Sequence, residues 1–168
     1  MKQFHIGFSG SRVVTVGQVD TLRDYMTRYG LQMQEEMVDV VLHHGDCVGG
    51  DEAAHVTASE APGWKIEVHP GTDGEGESPH RAYMATAMPD RVQEVHEPCA
   101  YMERNMDIVT TTAFLLAAPS GPEKKRSGTW STVRAARRLR HPVIIFWPDG
   151  DATMEGFEDH EHVTGAEE

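Results

Sequence analysis

Apolar positions along this chain fall into short unbroken runs that alternate with stretches of three-to-four spacing, and the two patterns predict different elements. The chain opens on Phe4-His5-Ile6-Gly7-Phe8, a β-prone run broken by Ser9-Gly10-Ser11-Arg12. Val19, Leu22, Tyr25, Met26, Tyr29, Met33 and Met37 then recur at three or four, which predicts a helix over residues 18–37 with Asp20 or Gln18 placed to cap it. Residues 38–42 read as a continuous apolar strand, Gly45-Asp46-Cys47-Val48-Gly49-Gly50 as a glycine-rich turn, and 51–60 as a short helix stopped before Pro62-Gly63. Residues 64–68 form a third strand, and 70–79, with three glycines among Ser and acids, a mobile surface loop. Beyond them the pattern predicts a short strand near 92–95, a helix over 101–112, a strand over 113–117 and a loop over 119–128. A helix over 129–139 and a last strand over 143–147, closed by Pro148-Asp149-Gly150, complete the series.

Strands alternate with helices, and the strands are apolar runs rather than polar/apolar alternations, so they are expected to be buried on both faces. That combination predicts an α/β fold, a doubly wound, mainly parallel sheet flanked by helices. In such folds ligands sit beyond the carboxyl ends of the strands, where the glycine-rich and polar loops of this chain fall. No internal repeat of solenoid period is present.

Composition refines this reading. With 168 residues and 39% apolar content the chain holds one ordinary domain and one real core, which excludes a mini-protein and a wholly disordered chain. The net charge of −12, from 15 bases against 27 acids, speaks against anionic partners until its distribution is read. Residues 149–168 hold eight of the acids and no Lys or Arg; removing them leaves 19 acids against 15 bases. Residues 124–140 hold seven bases and no acid. The expected division is therefore a domain over 1–148 and an acidic C-terminal tail over 149–168. Cys47 and Cys99 make no C-x-x-C, which argues against a disulfide framework and a cysteine zinc motif. No run approaches the roughly 18 apolar residues of a membrane span, and no basic leader opens the chain, so no membrane partner and a cytoplasmic location are expected.

Three loops have the same character: Ser9-Gly10-Ser11-Arg12, Gly45-Asp46-Cys47-Val48-Gly49-Gly50-Asp51, and Ser127-Gly128-Thr129-Trp130-Ser131-Thr132. Each leads toward a helix start with Gly, which lets backbone amides approach a ligand, and with hydroxyl or acidic groups that can bind one. A phosphate at such a start meets free N–H groups and the positive end of the helix dipole. Neither a Walker A motif nor G-x-G-x-x-G occurs. The same residue types populate ordinary turns and N-caps, but three such loops at the ends of successive strands favour a binding site.

Individual residues leave alternatives open. Asp46 and Asp51 suit a ribose hydroxyl or a metal, or simply cap their loop, Asp51 as an N-cap. Trp130 suits stacking on a base or packing in the core. Arg134, Arg137 and Arg138 share a helix face of the kind usually solvated, and Arg134 alone is near the helix start. His43 and His44, beside Asp46 and Cys47, suggest a metal, but adjacent strand residues point to opposite faces, so no metal site is expected from the pair. No nucleophile-elbow motif supports a Ser-His-Asp arrangement.

Taken in order, Gly7-Phe8-Ser9-Gly10-Ser11-Arg12, Gly45-Asp46-x-x-Gly49-Gly50-Asp51, Arg104-Asn105-x-x-Ile108-Val109 and Ser127-Gly128-Thr129, followed by Pro142-Val143-Ile144-Ile145, resemble the SLOG superfamily. This Rossmann-like group contains the LOG (lonely guy) phosphoribohydrolases and nucleotide-sensing SLOG domains, and the resemblance spans about residues 4–147. It implies a nucleotide-type ligand over the strand ends, with its phosphate near the Gly128-Thr129 helix start and Gly10, Ser11, Arg12, Gly45, Asp46, Gly49, Asp51, Arg104, Asn105, Ser127 and Trp130 around it. LOG enzymes cleave the N-glycosidic bond of a nucleoside 5′-monophosphate with an arginine, matched here by Arg104 within Glu103-Arg104-Asn105, and a glutamate. The glutamate position is occupied by Thr132. A carboxylate stabilises the cationic sugar or activates water, and a threonine does neither well.

Ligand binding therefore ranks above hydrolysis. Hydrolysis is the alternative, with Arg104 as catalytic residue and Asp46, Asp51 or Glu103 substituting for the lost carboxylate. Single-stranded nucleic-acid binding, suggested by residues 124–140 and by some SLOG relatives, ranks last because of the net acidity. No cofactor is implied, and a homo-oligomer is expected from the superfamily's habits.

Overall fold

A computed structural model describes residues 1–76 and 78–158. In chain order the elements are β1 (Lys2–Gly10), α1 (Val16–Glu35), β2 (Val38–His44), α2 (Gly50–Glu60), β3 (Trp64–Val68), β4 (Gly71–Thr72) and α3 (Met84–Ala87). They continue with β5 (Val92–Val95), β6 (Cys99–Ala100), α4 (Tyr101–Thr110), β7 (Phe114–Ala118), α5 (Gly128–Arg138), β8 (Val143–Phe146) and β9 (Ala152–Glu155). Seven strands form one sheet in the order β5-β3-β2-β1-β7-β8-β9, parallel except for β9. This is the expected α/β Rossmann-like fold.

The strand runs are buried on both faces for a physical reason visible in the core. Ile6, Phe8, Val40, Leu42, Ile66 and Leu116 project to one side, where they meet Leu22, Met26 and Tyr29 of α1 and Ala54 and Ala58 of α2. Leu115, Ala117, Val143 and Ile145 project to the other and meet Val109 of α4 and Trp130, Val133 and Ala136 of α5. The second cluster covers β7 and β8 only. Over β1, β2 and β3 the same face carries His5, His43 and Glu67 instead.

Successive strands step outward from β1 through β2 and β3 to β5; the chain then returns to the other side of β1 with β7 and β8. The reversal lies between β1 and β7, so their carboxyl ends, Gly10 and Ala118, border the crevice in which such folds hold ligands.

Three details correct the sequence reading. Helix α1 starts before residue 18: Thr15 is the N-cap, its hydroxyl accepting from Gln18 N at 3.0 Å while Gln18 Oε1 accepts from Thr15 N at 3.0 Å. The capping box begins ahead of the apolar periodicity, so neither Gln18 nor Asp20 is the cap. Residues 71 and 72, expected within a loop, pair in parallel with 99 and 100. The domain also runs past 148. Ala152–Glu155 adds an antiparallel strand to β8, and Phe157 packs edge-on against Phe114 with ring centroids 5.3 Å apart. An edge strand bears polar residues on its solvated face, so its composition resembles that of a tail. The rest of the expected acidic tail, residues 159–168, lies outside the described residues.

Candidate functional site

The polar loops converge on a cavity of about 610 Å³ at the β1/β7 crevice. Ser9, Gly10, Ser11 and Arg12 line it from the end of β1, Cys47 from the β2–α2 connection, Asp51 from the first turn of α2, and Ser127, Gly128 and Thr129 from the start of α5. Arg104 and Asn105 of α4 close another side. Of the residues singled out in the sequence, the cavity thus gathers Gly10, Ser11, Arg12, Asp51, Arg104, Asn105, Ser127, Gly128 and Thr129.

Close backbone approach explains how two of these loops meet. A side chain at Gly10 would put its Cβ 2.8 Å from the Gly50 Cα, and one at Gly50 would put its Cβ 2.7 Å from the Gly10 Cα. The end of β1 and the start of α2 therefore touch through bare backbone, with Gly50 N donating to Ser11 O at 2.8 Å. Gly45 has a different task. A Cβ there would collide with the Arg104 guanidinium, so the missing side chain makes room for the buried arginine. Arg104 Nη1 donates to Gly45 O at 2.7 Å and His69 O at 3.2 Å, and Nε donates to Asn105 Oδ1 at 2.8 Å.

Asp51 stands across the loop from Arg104. Its Oδ2 accepts from Gly45 N at 3.1 Å and Cys47 N at 3.2 Å, whereas its buried Oδ1 has no hydrogen-bond partner among the described residues. Burial pushes its carboxyl up to about 6, against the opposing pull of Arg104 and the backbone amides. Asp51 is thus not an N-cap; it sits within α2 and folds back to hold the preceding turn. The neighbouring Cys47 thiol is pushed up to about 11, first by burial and then by the Asp51 charge, so it is not a thiolate at neutral pH.

At the opposite wall, Ser127 caps α5 by accepting from Trp130 N at 3.2 Å, and the first intrahelical bond runs from Ser131 N to Ser127 O at 2.8 Å. The amides of Gly128 and Thr129 precede that bond in the first turn. Lys124 and Arg126 line the cavity beside them, Arg126 with φ at 60°. Among the described residues the lining holds four Lys or Arg side chains, Arg12, Arg104, Lys124 and Arg126, against one carboxylate, that of Asp51. In a chain of net charge −12 this is a strongly cationic hollow.

Other singled-out residues lie elsewhere. Asp46 is buried and committed, accepting from Arg81 Nε and Met84 N at 3.0 Å each. Trp130 packs in the core cluster, its indole N–H donating to Gly121 O at 3.2 Å, which answers the stacking-or-core alternative with core. Glu103 is exposed and, like Gly45 and Gly49, is not part of the cavity wall. Thr132 is buried with its hydroxyl on Gly128 O at 2.9 Å, and it too is outside the wall.

The sequence did not signal Ser78, His80 and Tyr101. Tyr101 Oη donates to Ser78 Oγ at 2.6 Å, and Arg12 Nη1 lies 2.9 Å from His80 Nε2. Ser78 comes from the segment read as loop, His80 from the unpatterned stretch after it and Tyr101 from an unremarkable helix start, and their spacing carries no motif. Lys124 and Arg126 were visible as charge, but not as wall.

A second polar cluster lies on the sheet face. His43 and His44 do point to opposite sides: His44 Nε2 meets His55 Nδ1 at 2.8 Å, while His43 Nδ1 meets His69 Nε2 at 2.8 Å. Around His43 gather Glu67, His69 and His96, a grouping the sequence did not suggest. Burial lowers His43 to about 4 and His69 to about 3, so both rings are neutral at pH 7. For Glu67 burial acts upward, but the bonds from Gln93 and His96 prevail and hold the carboxyl below its ordinary value.

No protein-family model and no curated protein matches the chain. Among solved structures it is similar to the X-ray structure of TM1055, a structural genomics target, at 19% identity over 85% of this chain and 72% of that one, with a TM-score of 0.48. It is also similar to DNA processing protein A from Helicobacter pylori, whose structure concerns a single-stranded DNA binding mode. That match has 12% identity, covers 84% of this chain and 64% of the other, and has a TM-score of 0.56. The chain thus spans less than two thirds of the length of that protein. At such identity the likeness shows a shared fold.

Proposed function

We propose that the cavity binds a nucleotide or nucleotide derivative in the manner expected of a SLOG-type domain, with its phosphate at the start of α5. One observation carries the reading: a cation-lined hollow at the point where the strand order reverses, walled by the first turn of a helix. Its volume of about 610 Å³ lies within the range of small-molecule sites. The Gly128 and Thr129 amides, Lys124 and Arg126 supply donors and charge for a phosphate. Asp51, the acid among the described wall residues, supplies an acceptor type suited to a ribose hydroxyl.

Calorimetry of the full chain against nucleoside mono- and diphosphates and ADP-ribose tests this. The expected outcome is saturable binding of at least one, weakened about tenfold or more in a Lys124→Ala/Arg126→Ala variant. A folded chain that binds none of them overturns it. A single-stranded oligonucleotide belongs in the same panel, because DNA processing protein A shares the fold. Affinity for it alone, falling steeply with salt, would move the reading to nucleic acid.

Asp51 favours hydrolysis of the N-glycosidic bond as a second reading. In that reaction the bond from the sugar C1′ to the base nitrogen breaks, water supplies the oxygen to C1′, and a proton passes to the base. A carboxyl group raised to about 6 is balanced between accepting and donating a proton near neutrality. It stands on α2, whereas the position held by Thr132 is on α5. Free base released from a nucleotide panel, and lost in Asp51→Asn with binding retained, would establish this activity.

A further inference from the structure

We propose that His43, Glu67, His69 and His96 bind one divalent first-row transition-metal ion, with Zn²⁺ the best match. The proposal does not rest on the nucleotide reading, because these residues lie on the sheet face and none belongs to the cavity wall.

Strand register makes the juxtaposition. His43 of β2 and Glu67 of β3 are direct cross-strand partners and share a face. His69 follows Glu67 by two residues, the period that returns a side chain to that face, and its backbone N–H donates to His44 O at 2.8 Å. His96 follows β5, its backbone N–H donating to Val68 O at 2.8 Å. The β3–β5 register shifts between Ile66 and Glu67, an irregularity of the kind that re-aims side chains.

Four donor atoms, one from each residue, lie within 4.8 Å of one another. His43 Nδ1 and His69 Nε2 are 2.8 Å apart, as are His96 Nε2 and Glu67 Oε1. In a tetrahedral zinc site with bonds near 2.0–2.1 Å, neighbouring donors stand about 3.3 Å apart. The group therefore needs shifts of about an ångström to close on an ion, within reach of side-chain adjustment.

Three imidazoles and one carboxylate form a borderline donor set that suits Zn²⁺ and its neighbours better than Ca²⁺ or Mg²⁺. Four protein donors fill a tetrahedron, the pattern of a structural ion. The supporting shell is present as well. His43 Nε2 is 2.7 Å from His5 Nδ1, and Gln93 Nε2 donates to Glu67 Oε2 at 2.8 Å, so a first and a second partner orient two of the ligands. His43, Glu67 and His69 are buried, while the His96 side chain keeps a third of its surface exposed and leaves an entry path. An ion here would tie the largely exposed strand β5 to β2 and β3, on the face where the second apolar cluster does not reach.

The competing account is a metal-free hydrogen-bond network of the same side chains, and the experiment separates the two. The full chain is stripped with a chelator, then titrated with Zn²⁺ against a chromophoric competitor, and separately with Co²⁺. The proposal expects one ion retained per chain, a higher thermal midpoint with Zn²⁺, and the intense visible bands of four-coordinate Co²⁺. His96→Gln, at the partly exposed edge of the cluster, should weaken Zn²⁺ binding about tenfold or more and abolish the Co²⁺ bands while the chain stays folded by circular dichroism. His69→Gln should do the same, and His141→Gln, between α5 and β8 and outside the cluster, should change neither. A folded chain that retains no ion at micromolar Zn²⁺ overturns the proposal. Equal retention by wild type, His69→Gln and His96→Gln overturns it too, since the ion would then sit on other histidines.

Discussion

At the carboxyl ends of β1 and β7 the polar groups come from loops and from the helices that follow them, line a cavity, and are mostly cationic where they are charged; over β2 and β3 they come from strands and the residues just after strands, are largely buried and are mostly imidazole. The first region is shaped by what the backbone can do, through bare glycine contacts and free helix amides. The second is shaped by register, which sets residues far apart in sequence side by side on one face. Arg104 joins them, donating to Gly45 O in the cavity loop and to His69 O in the histidine cluster. A loop-built site can change its ligand by changing loops. A register-built cluster is fixed by the sheet.

Arg104→Ala is the largest test of that contrast. It leaves two buried carbonyls without their charged donor and removes the cation facing Asp51, at a cost of about 3 kcal/mol. Urea denaturation should show that loss, and nucleotide binding should fall with it. If stability drops by less than about 1 kcal/mol, the two regions are independent and Arg104 is not their link.

The contrast also explains what the sequence made legible. The sheet could be read because buried parallel strands leave apolar runs, and 64–68 and 92–95 were placed at their observed bounds. The cavity was legible through Ser9-Gly10-Ser11-Arg12 and Ser127-Gly128-Thr129, since Gly and hydroxyl residues beside strand ends are a local signal. Asp46 carried the same signal and yet faces Arg81 and the Met84 amide, because composition cannot tell a binding loop from one stitched to its neighbour. His43, Glu67, His69 and His96 were illegible as a group: their adjacency depends on β3 pairing with both β2 and β5, and no spacing encodes that. The β9 edge strand was hidden by the acids around it, Asp149, Asp151 and Glu158.

Asp51→Asn has the next largest effect, and its sign depends on pH. The folded carboxyl lies at about 6 against an ordinary 3.8, so between those values the folded state keeps a proton that the unfolded chain has released. The stability this group contributes is present below pH 3.8 and is lost as pH rises through 6. At pH 7 the variant should be more stable than wild type by about 2 kcal/mol, with the gap closing toward pH 4. Greater stability with weaker ligand binding or base release would mark Asp51 as a group held there for function. A variant destabilised at every pH would show instead that its bonds to Gly45 N and Cys47 N outweigh the cost of burying the charge.

The smallest effect is at Ser127, and it isolates the phosphate wall. Ser127→Ala removes the oxygen that accepts from Trp130 N and should cost about 1 kcal/mol in urea denaturation. Ser127→Asp keeps a good cap and adds a charge that favours the helix start, so stability should be retained. The same charge repels an anion bound at the Gly128 and Thr129 amides and should weaken nucleotide binding about tenfold. The histidine cluster lies outside this wall, so Zn²⁺ retention should be unchanged in both variants. Unaltered nucleotide affinity in a stable Ser127→Asp chain would remove the phosphate from the α5 start and leave Arg12, on the opposite loop, as the anchor to examine by the same measurement.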